Sequence, residues 1–288
     1  MTMPLIVLVG PTASGKTSLA VDLARKFGGE IICADSRTVY KGMDIGTAKP
    51  TVEEQTAVHH WGIDLVEPDV RFTVADFKEY TDLKIKEIRS RNKIPFLVGG
   101  SGLYIDAVIF NYQFSGNINV NQRRRLDAMS LVELQDYCLQ NNVKLPENEK
   151  NKRYLIRAIE LKGISVSKNN EPIPNSIIVG ITTNKDEMRE RIKTRIEQQL
   201  ANNVVEESTL LSKRYGWDNE AMTGNIYPIV RLYLEGTITY DELKQRCVAL
   251  DLKLVKRQNT WFKRNIYIKW LSLVDAEKYL SSELVRDR

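Results

Sequence analysis

The sequence predicts an α/β fold: a parallel sheet covered by helices, with an all-helical insertion in the middle of the chain. Two observations lead to this fold class. Apolar, strand-like runs alternate with helical patterns in the first hundred residues, and a polar, turn-rich break then precedes a helical, basic segment. Strands buried in parallel sheets are continuously apolar, and alternating helices cover both faces of such sheets. With 288 residues, 42% of them hydrophobic, the chain is long enough to bury a core of this kind.

Each element follows from a local pattern. Residues 5–9 are a continuous apolar run that ends at Gly10, which predicts a buried strand. Residues 17–27 carry apolar side chains at helical spacing and stop at Gly28-Gly29, which predicts a helix. The same reasoning predicts, in chain order, a strand at 31–34, a helix at 74–91 and strands at 94–98, 177–181 and 266–268.

The order of these elements divides the chain into two parts. The sheet and its helices are predicted over 1–114 and 175–288, and the helical insertion over 115–174. Ligands of open parallel sheets bind at the carboxyl ends of the strands. Gly10, Asp35 and Gly99-Gly100 all fall at such ends, so the functional site is expected there.

Composition and charge restrict the classes of function. The net charge is only +5, but the basic residues form local clusters suited either to phosphate groups or to solvated helix faces. The three cysteines are far apart and predict neither a disulfide framework nor a zinc site. No apolar run near the start is long enough for a signal peptide or a membrane span. We therefore expect a cytoplasmic protein, a monomer that does not engage membranes.

A Walker A pattern lies between the first predicted strand and the first predicted helix. Its glycines allow backbone amides to face phosphate oxygens, and the start of the following helix favours negative charge. Lys16 adds a positive charge, and the Thr17 hydroxyl suits a ligand of Mg²⁺. The motif predicts a P-loop NTPase-like sheet that binds a diphosphate or triphosphate through Gly10, Pro11, Thr12, Ala13, Ser14, Gly15, Lys16 and Thr17.

The candidate acid of this site is Asp35, at the end of the second predicted strand. No later apolar run ends in the aspartate that pairs with magnesium in most NTPases. A carboxylate at this strand end could be a magnesium partner or a general base. An Asp-Ser pair is also typical of a helix or turn cap, and the residues alone leave these roles open.

Further motifs make the sequence similar to the tRNA dimethylallyltransferase family. They cover most of the chain, and the most specific is the run Asp44-Ile45-Gly46-Thr47-Ala48-Lys49 beside the Walker A pattern. The other matching stretches include 35–36, 59–60, 98–104, 153–160, 191–195 and 256–262.

The resemblance implies an activity and its residues. The activity is transfer of the dimethylallyl group from dimethylallyl diphosphate to N6 of the adenosine 3′-adjacent to the anticodon in tRNA, with Mg²⁺ as cofactor. Asp35 would take a proton from the adenine amine, while Lys16 and Arg195 would neutralise the leaving diphosphate and Ser101 would contact substrate. The tRNA-binding residues implied are Asp35, Ser36, Arg37, Thr38, Ser101, Arg123, Arg153, Arg157, Lys256 and Arg257.

Three stretches depart from the family pattern. Ile226-Tyr227-Pro228 lacks a glycine and a basic residue, Asp251-Leu252-Lys253 replaces Thr-Arg-Gln or Thr-Arg-Arg, and Tyr154 replaces a basic residue. We expect all three departures on the RNA side and none in the diphosphate site.

Other functions stay open at this point. A small-molecule P-loop kinase would use Arg189, Arg191 and Arg195 over its nucleotide, but leaves the Asp44–Lys49 run unexplained. A prenyltransferase acting on free adenylate would have no use for the helical insertion. A tRNA-binding paralogue with weakened catalysis is disfavoured by the intact Asp35 and Lys16.

Overall fold

The structure, a computed structural model, describes residues 3–114, 120–161, 167–224 and 226–286. The chain divides into two compact units. The larger combines Met1–Phe110 with Glu171–Arg288, and the smaller is Asn111–Asn170. The predicted insertion, 115–174, starts and ends slightly later than the smaller unit.

The larger unit is built on a parallel sheet. Its strands are β1 (Leu5–Val9), β2 (Gly29–Cys33), β3 (His60–Trp61), β4 (Ile94–Gly99), β5 (Ser176–Ile181) and β6 (Lys269–Leu271). Their order is β3-β2-β4-β1-β5-β6, and each described pairing is parallel. The predicted fold class is confirmed.

Nine α-helices are described in the larger unit. They are α1 (Lys16–Phe27), α2 (Val52–Ala57), α3 (Val74–Ser90), α4 (Gly102–Ile109), α8 (Lys185–Ala201), α9 (Val204–Tyr215), α10 (Tyr227–Leu234), α11 (Tyr240–Phe262) and α12 (Leu273–Arg286). None of the described helices is long and apolar enough to cross a membrane.

Alternation along β1 separates the two faces of the sheet. Ile6 and Leu8 pack with α1 and α12, whereas Leu5, Val7 and Val9 pack with α3, α4 and the end of α11. All five side chains are fully buried. The sheet is therefore covered on both sides, as expected for a continuously apolar parallel strand.

A further hydrophobic cluster in the larger unit joins helices α8, α10 and α11. Its buried members include Ile192, Ile196, Val230, Leu243 and Cys247. This packing turns one face of α8 and one face of α11 toward the end of β1, which positions the side chains of the candidate site.

One predicted strand is wrong in position. The sequence predicts a strand at 266–268, but the last strand is β6, at Lys269–Leu271. Ile266 is 86% exposed and Ile268 is buried, because the chain makes turns after α11 before it joins the sheet beside β5. An apolar triplet in a turn has the same pattern as a short strand.

The smaller unit contains α5 (Val120–Ala128), α6 (Leu131–Gln140) and α7 (Lys152–Leu161). Leu126, Leu134, Leu155 and Ile156 form its core. A capping box starts α6: the Ser130 hydroxyl accepts from the Glu133 amide and the Glu133 carboxylate accepts from the Ser130 amide. The unit thus has a hydrophobic core of its own.

Candidate active site

The loop between β1 and α1 presents backbone amides at the start of a helix. Ala13 has φ +59° and Gly15 has φ +86°, two left-handed conformations that curl the loop. Helix α1 has no side-chain cap at its first turn. Its first amides are therefore available to an anion, which the helix dipole also favours.

A cavity of about 1120 Å³ opens beside this loop, at the carboxyl ends of the strands. It brings together most of the residues that the sequence predicts for the site within the larger unit, and Gly10, Pro11 and Lys256 are the exceptions. Gly10 and Pro11 are buried at the start of the loop, and Lys256 is exposed on α11. The predicted residues that line the cavity are Thr12, Ala13, Ser14, Gly15, Lys16, Thr17, Asp35, Ser36, Arg37, Thr38, Ser101, Arg195 and Arg257.

Lys16 is held in the loop by its own backbone. Its Nζ donates to the Pro11 carbonyl oxygen at 3.1 Å. Loss of solvent lowers the pKa of Lys16 to about 8; the Asp35 carboxylate acts against this shift and the Arg195 guanidinium adds to it. An anion in the cavity would therefore stabilise the charged form of Lys16.

Arg195 reaches the same loop from α8. Its Nη1 donates to the Thr12 hydroxyl, and its Nε lies 4.0 Å from Oδ2 of Asp251 on α11. Asp251 is 8% exposed and lines the cavity. Asp251 therefore lies beside residues predicted for the diphosphate site, and not away from them as expected. Positions 195 and 251 are far apart in sequence, and only the packing of α8 on α11 brings them together.

The stretch 226–228, which also departs from the family pattern, is partly buried. Tyr227 is fully buried, and its hydroxyl donates to Oε1 of Glu207 at 2.9 Å. Pro228 lines the cavity. Tyr154, the third departure, is 50% exposed on α7 of the smaller unit.

Asp35 follows β2 and faces the cavity while it also stabilises a turn. Its Oδ1 accepts a hydrogen bond from the Arg37 amide at 2.8 Å, which is the capping role that the sequence leaves open. Its second oxygen is not required by this turn. The carboxylate is therefore oriented by its own backbone and can accept a proton from a substrate in the cavity.

The neighbours of Asp35 tie its loop to the rest of the site. The Ser36 amide donates to Oγ of Ser101 at 2.9 Å, which joins the ends of β2 and β4. Arg37 donates to the carbonyl oxygens of Glu220 and Ala221, and Thr38 is buried. Arg37 and Thr38, which the resemblance places in tRNA binding, thus have structural contacts as well.

Gln258 is a further residue of the site, beyond those that the sequence predicts. Its Oε1 accepts from the Thr12 amide at 2.9 Å, and its Nε2 donates to the Gly100 carbonyl oxygen at 3.1 Å. A Cβ on Gly100 would lie 2.3 Å from that Nε2, so a larger residue at this position would push the Gln258 amide out of its place. The signal was available, since Gln258 directly follows the predicted Lys256-Arg257 pair.

Glu207 holds the loop formed by the most specific motif of the sequence, Asp44–Lys49. Its carboxylate accepts from the backbone amides of Asp44, Ile45 and Gly46 at 2.7–2.9 Å. The Tyr227 ring, whose hydroxyl also donates to Glu207, packs so closely on Gly46 that a Cβ there would lie 2.5 Å from Cζ. The motif therefore builds one wall of the cavity, where Thr47 and Ala48 lie.

The predicted RNA-binding arginines of the smaller unit lie on α5 and α7. Arg123 pairs with Asp127 at 3.2 Å and with Glu160 at 3.0 Å, and Arg157 lies 3.4 Å from Glu160. Arg153 is exposed. The charge of Arg123 is thus largely balanced within the unit, and the roles of these arginines in RNA binding stay predictions.

The residues fit a magnesium ion that a phosphate ligand helps to hold. Among the described residues, no group of three or more His, Cys, Asp or Glu side chains could hold a metal ion. Mg²⁺ in phosphate sites needs only one or two protein ligands beside phosphate oxygens and water. The Thr17 hydroxyl and the Asp35 carboxylate both line the cavity and supply oxygens of that kind.

Known proteins are similar to this chain in sequence and in fold. The family model described as IPP transferase matches residues 38–265. A tRNA dimethylallyltransferase of Acetivibrio thermocellus is 38% identical over 93% of this chain and 91% of its own length, and one of Bacillus pumilus is 36% identical over 94% and 90%.

The solved structure of the tRNA isopentenylpyrophosphate transferase of Bacillus halodurans superposes with a TM-score of 0.75. It is 32% identical, and the match covers 98% of this chain and 97% of that one. A eukaryotic dimethylallyltransferase acting on tRNA, 20% identical, shares the fold with a TM-score of 0.81 over 100% of this chain and 80% of its own. The chain belongs to the IPP transferase family.

Proposed function

We propose that this protein is a tRNA dimethylallyltransferase, which moves the dimethylallyl group from dimethylallyl diphosphate to N6 of the adenosine 3′-adjacent to the anticodon. Membership of the IPP transferase family supports the reaction class. The observation that carries the proposal is the shared cavity: the P-loop amides, Lys16 and Arg195 line it together with the Asp35 carboxylate. An anion site and a candidate base thus open onto one space.

The chemistry needs both halves of this site. The N6 nitrogen forms a bond to C1 of the allylic group, the C1–O bond breaks, and the diphosphate leaves with the bonding electrons. Lys16, Arg195 and the loop amides stabilise the charge that builds on the diphosphate. The amine proton passes to Asp35, a step that contributes about two to four orders of magnitude in rate when a base is well placed.

Magnesium is proposed as the cofactor, with Thr17 as its protein ligand and Asp35 as a second candidate. When bound, it neutralises charge on the diphosphate oxygens. Thr17 lies in the first turn of α1, directly after Lys16, which supports this proposal.

Binding of the tRNA is proposed for Asp35–Thr38, Ser101, Arg257 and Lys256 in the larger unit, and for the arginines of the smaller unit. A target base must leave its stack to reach the cavity, which favours an unpaired adenosine of the anticodon loop. Activity as a monomer in the cytoplasm stays a prediction.

Donor binding separates this proposal from a small-molecule kinase. With Mg²⁺ present, dimethylallyl diphosphate at 100 times its Kd should stabilise the fold by about 2.7 kcal/mol, and ATP at the same concentration should stabilise it less. The measurement is the melting temperature of the wild type and of Lys16→Ala, in which the shift should shrink. Stronger stabilisation by ATP, accompanied by its hydrolysis, would favour the kinase.

A further inference from the structure

Asp251 lies on the buried face of α11. Leu243, Cys247 and Asp251 follow one another at intervals of four residues, and all three are buried. This interval places them on one stripe of the helix. Leu243 and Cys247 belong to the apolar cluster with α8 and α10, so an apolar residue is expected at the third place. A carboxylate there needs a partner, because burial of an unpaired charge is strongly unfavourable.

The charge that faces Asp251 is Arg195 on α8. Nε of Arg195 and Oδ2 of Asp251 are 4.0 Å apart. Both atoms are buried, and neither has a hydrogen-bond partner among the described residues. The same guanidinium donates its Nη1 to the Thr12 hydroxyl of the P-loop. Arg195 therefore lies between a loop hydroxyl on one side and a buried carboxylate on the other.

The gap between the two buried atoms is small enough to close. A separation of 4.0 Å is too long for a hydrogen bond, but a modest rotation of either side chain would bring the Nε–H onto Oδ2. A charge-assisted hydrogen bond of this kind fixes the plane of a guanidinium. An arginine that is already oriented loses less rotamer freedom when an anion binds.

We propose that Asp251 is a positioning residue, which orients the guanidinium of Arg195 toward the diphosphate of the donor. This role rests on the proposed function, since that diphosphate is the anion that Arg195 would contact. In this role Asp251 acts through Arg195.

The test is a double-mutant cycle on the full chain, with inorganic pyrophosphate and Mg²⁺ as the ligand and calorimetric titration as the readout. Asp251→Asn keeps the shape of the side chain and removes its charge. We expect the Kd of pyrophosphate to rise about fivefold when Arg195 is present, and by less than about twofold in the Arg195→Ala background. Asp241→Asn makes the same chemical change on the exposed first turn of α11 and should leave the Kd unchanged.

A purely structural role would lower the melting temperature without this dependence on Arg195. Asp251→Thr is the second variant, which guards against misfolding of the Asn variant, and the same rise in Kd is expected for it. Tighter binding of pyrophosphate by both variants, or an equal change in both backgrounds, would overturn the proposed role. Wild type that binds pyrophosphate but transfers nothing to tRNA would contradict the proposed function alone, because the cycle needs neither tRNA nor the allylic donor.

Discussion

Raising the pH from 7 to 9 should weaken the binding of dimethylallyl diphosphate through deprotonation of Lys16. Desolvation lowers the pKa of this lysine to about 8 in the empty site. A bound diphosphate favours the charged ammonium, so affinity is highest below pH 8 and is lost as the pH rises through that value. The ammonium fraction falls from about nine-tenths at pH 7 to about one-tenth at pH 9, which corresponds to about a tenfold rise in Kd.

The assay is a titration of the donor by calorimetry at half-unit steps of pH. The matched control is Lys16→Arg, whose guanidinium stays charged over the whole range. Protonation of the diphosphate itself affects both proteins alike, so the ratio of their Kd values isolates Lys16. Cys33, the neighbouring thiol, does not interfere because burial raises its pKa to about 12. An unchanged ratio between pH 7 and 9 would refute the account of Lys16 as the group that titrates.

Three further predictions concern the base, the cavity wall and the RNA surface. Asp35→Asn should lower kcat by about a hundredfold or more while donor binding is kept, and near-normal kcat would leave Asp35 only its turn contact with the Arg37 amide. Glu207→Ala should lower the free energy of unfolding by about 3 kcal/mol or more, measured by urea denaturation, because it leaves three backbone amides without their acceptor. Arg123→Ala should lower the magnitude of the salt slope of tRNA binding by less than about half a unit, since Asp127 and Glu160 already balance its charge; a drop of about 0.7 to 0.9 unit, the value for one phosphate contact, would place Arg123 directly on a phosphate.

The local patterns of the sequence predict the central strands and the P-loop well. Residues 5–9 and 94–98 are apolar without interruption. Such a run is typical of a parallel strand that is buried on both faces of the sheet, and these residues are buried. The triplet 266–268 misleads because two of its residues are exposed in a turn. Short apolar segments carry no signal that separates the two cases.

The candidate site is predictable where its residues are contiguous and not where distant helices meet. Lys16 and Thr17 are identified by one motif, and Asp35 by its place at a strand end. Arg195 is paired with Asp251, and Glu207 binds the loop at Asp44–Gly46. Both pairings depend on how α8, α9 and α11 pack. No local pattern shows that Asp251 lies beside Arg195 in the cavity, so the sequence alone predicts the wrong surroundings for this residue.

Transfer to a defined adenosine is the direct test of the proposed function. The protein is incubated with dimethylallyl diphosphate, Mg²⁺ and one of three acceptors: a tRNA with adenosine 3′-adjacent to the anticodon, the same tRNA with guanosine there, or AMP. Mass spectrometry of the digested products then shows which acceptor gains the group. We expect a dimethylallyl group on N6 of that adenosine in the first tRNA, no product with the second, and far less product with Asp35→Asn. Modification of AMP with no modified tRNA would contradict the proposed function.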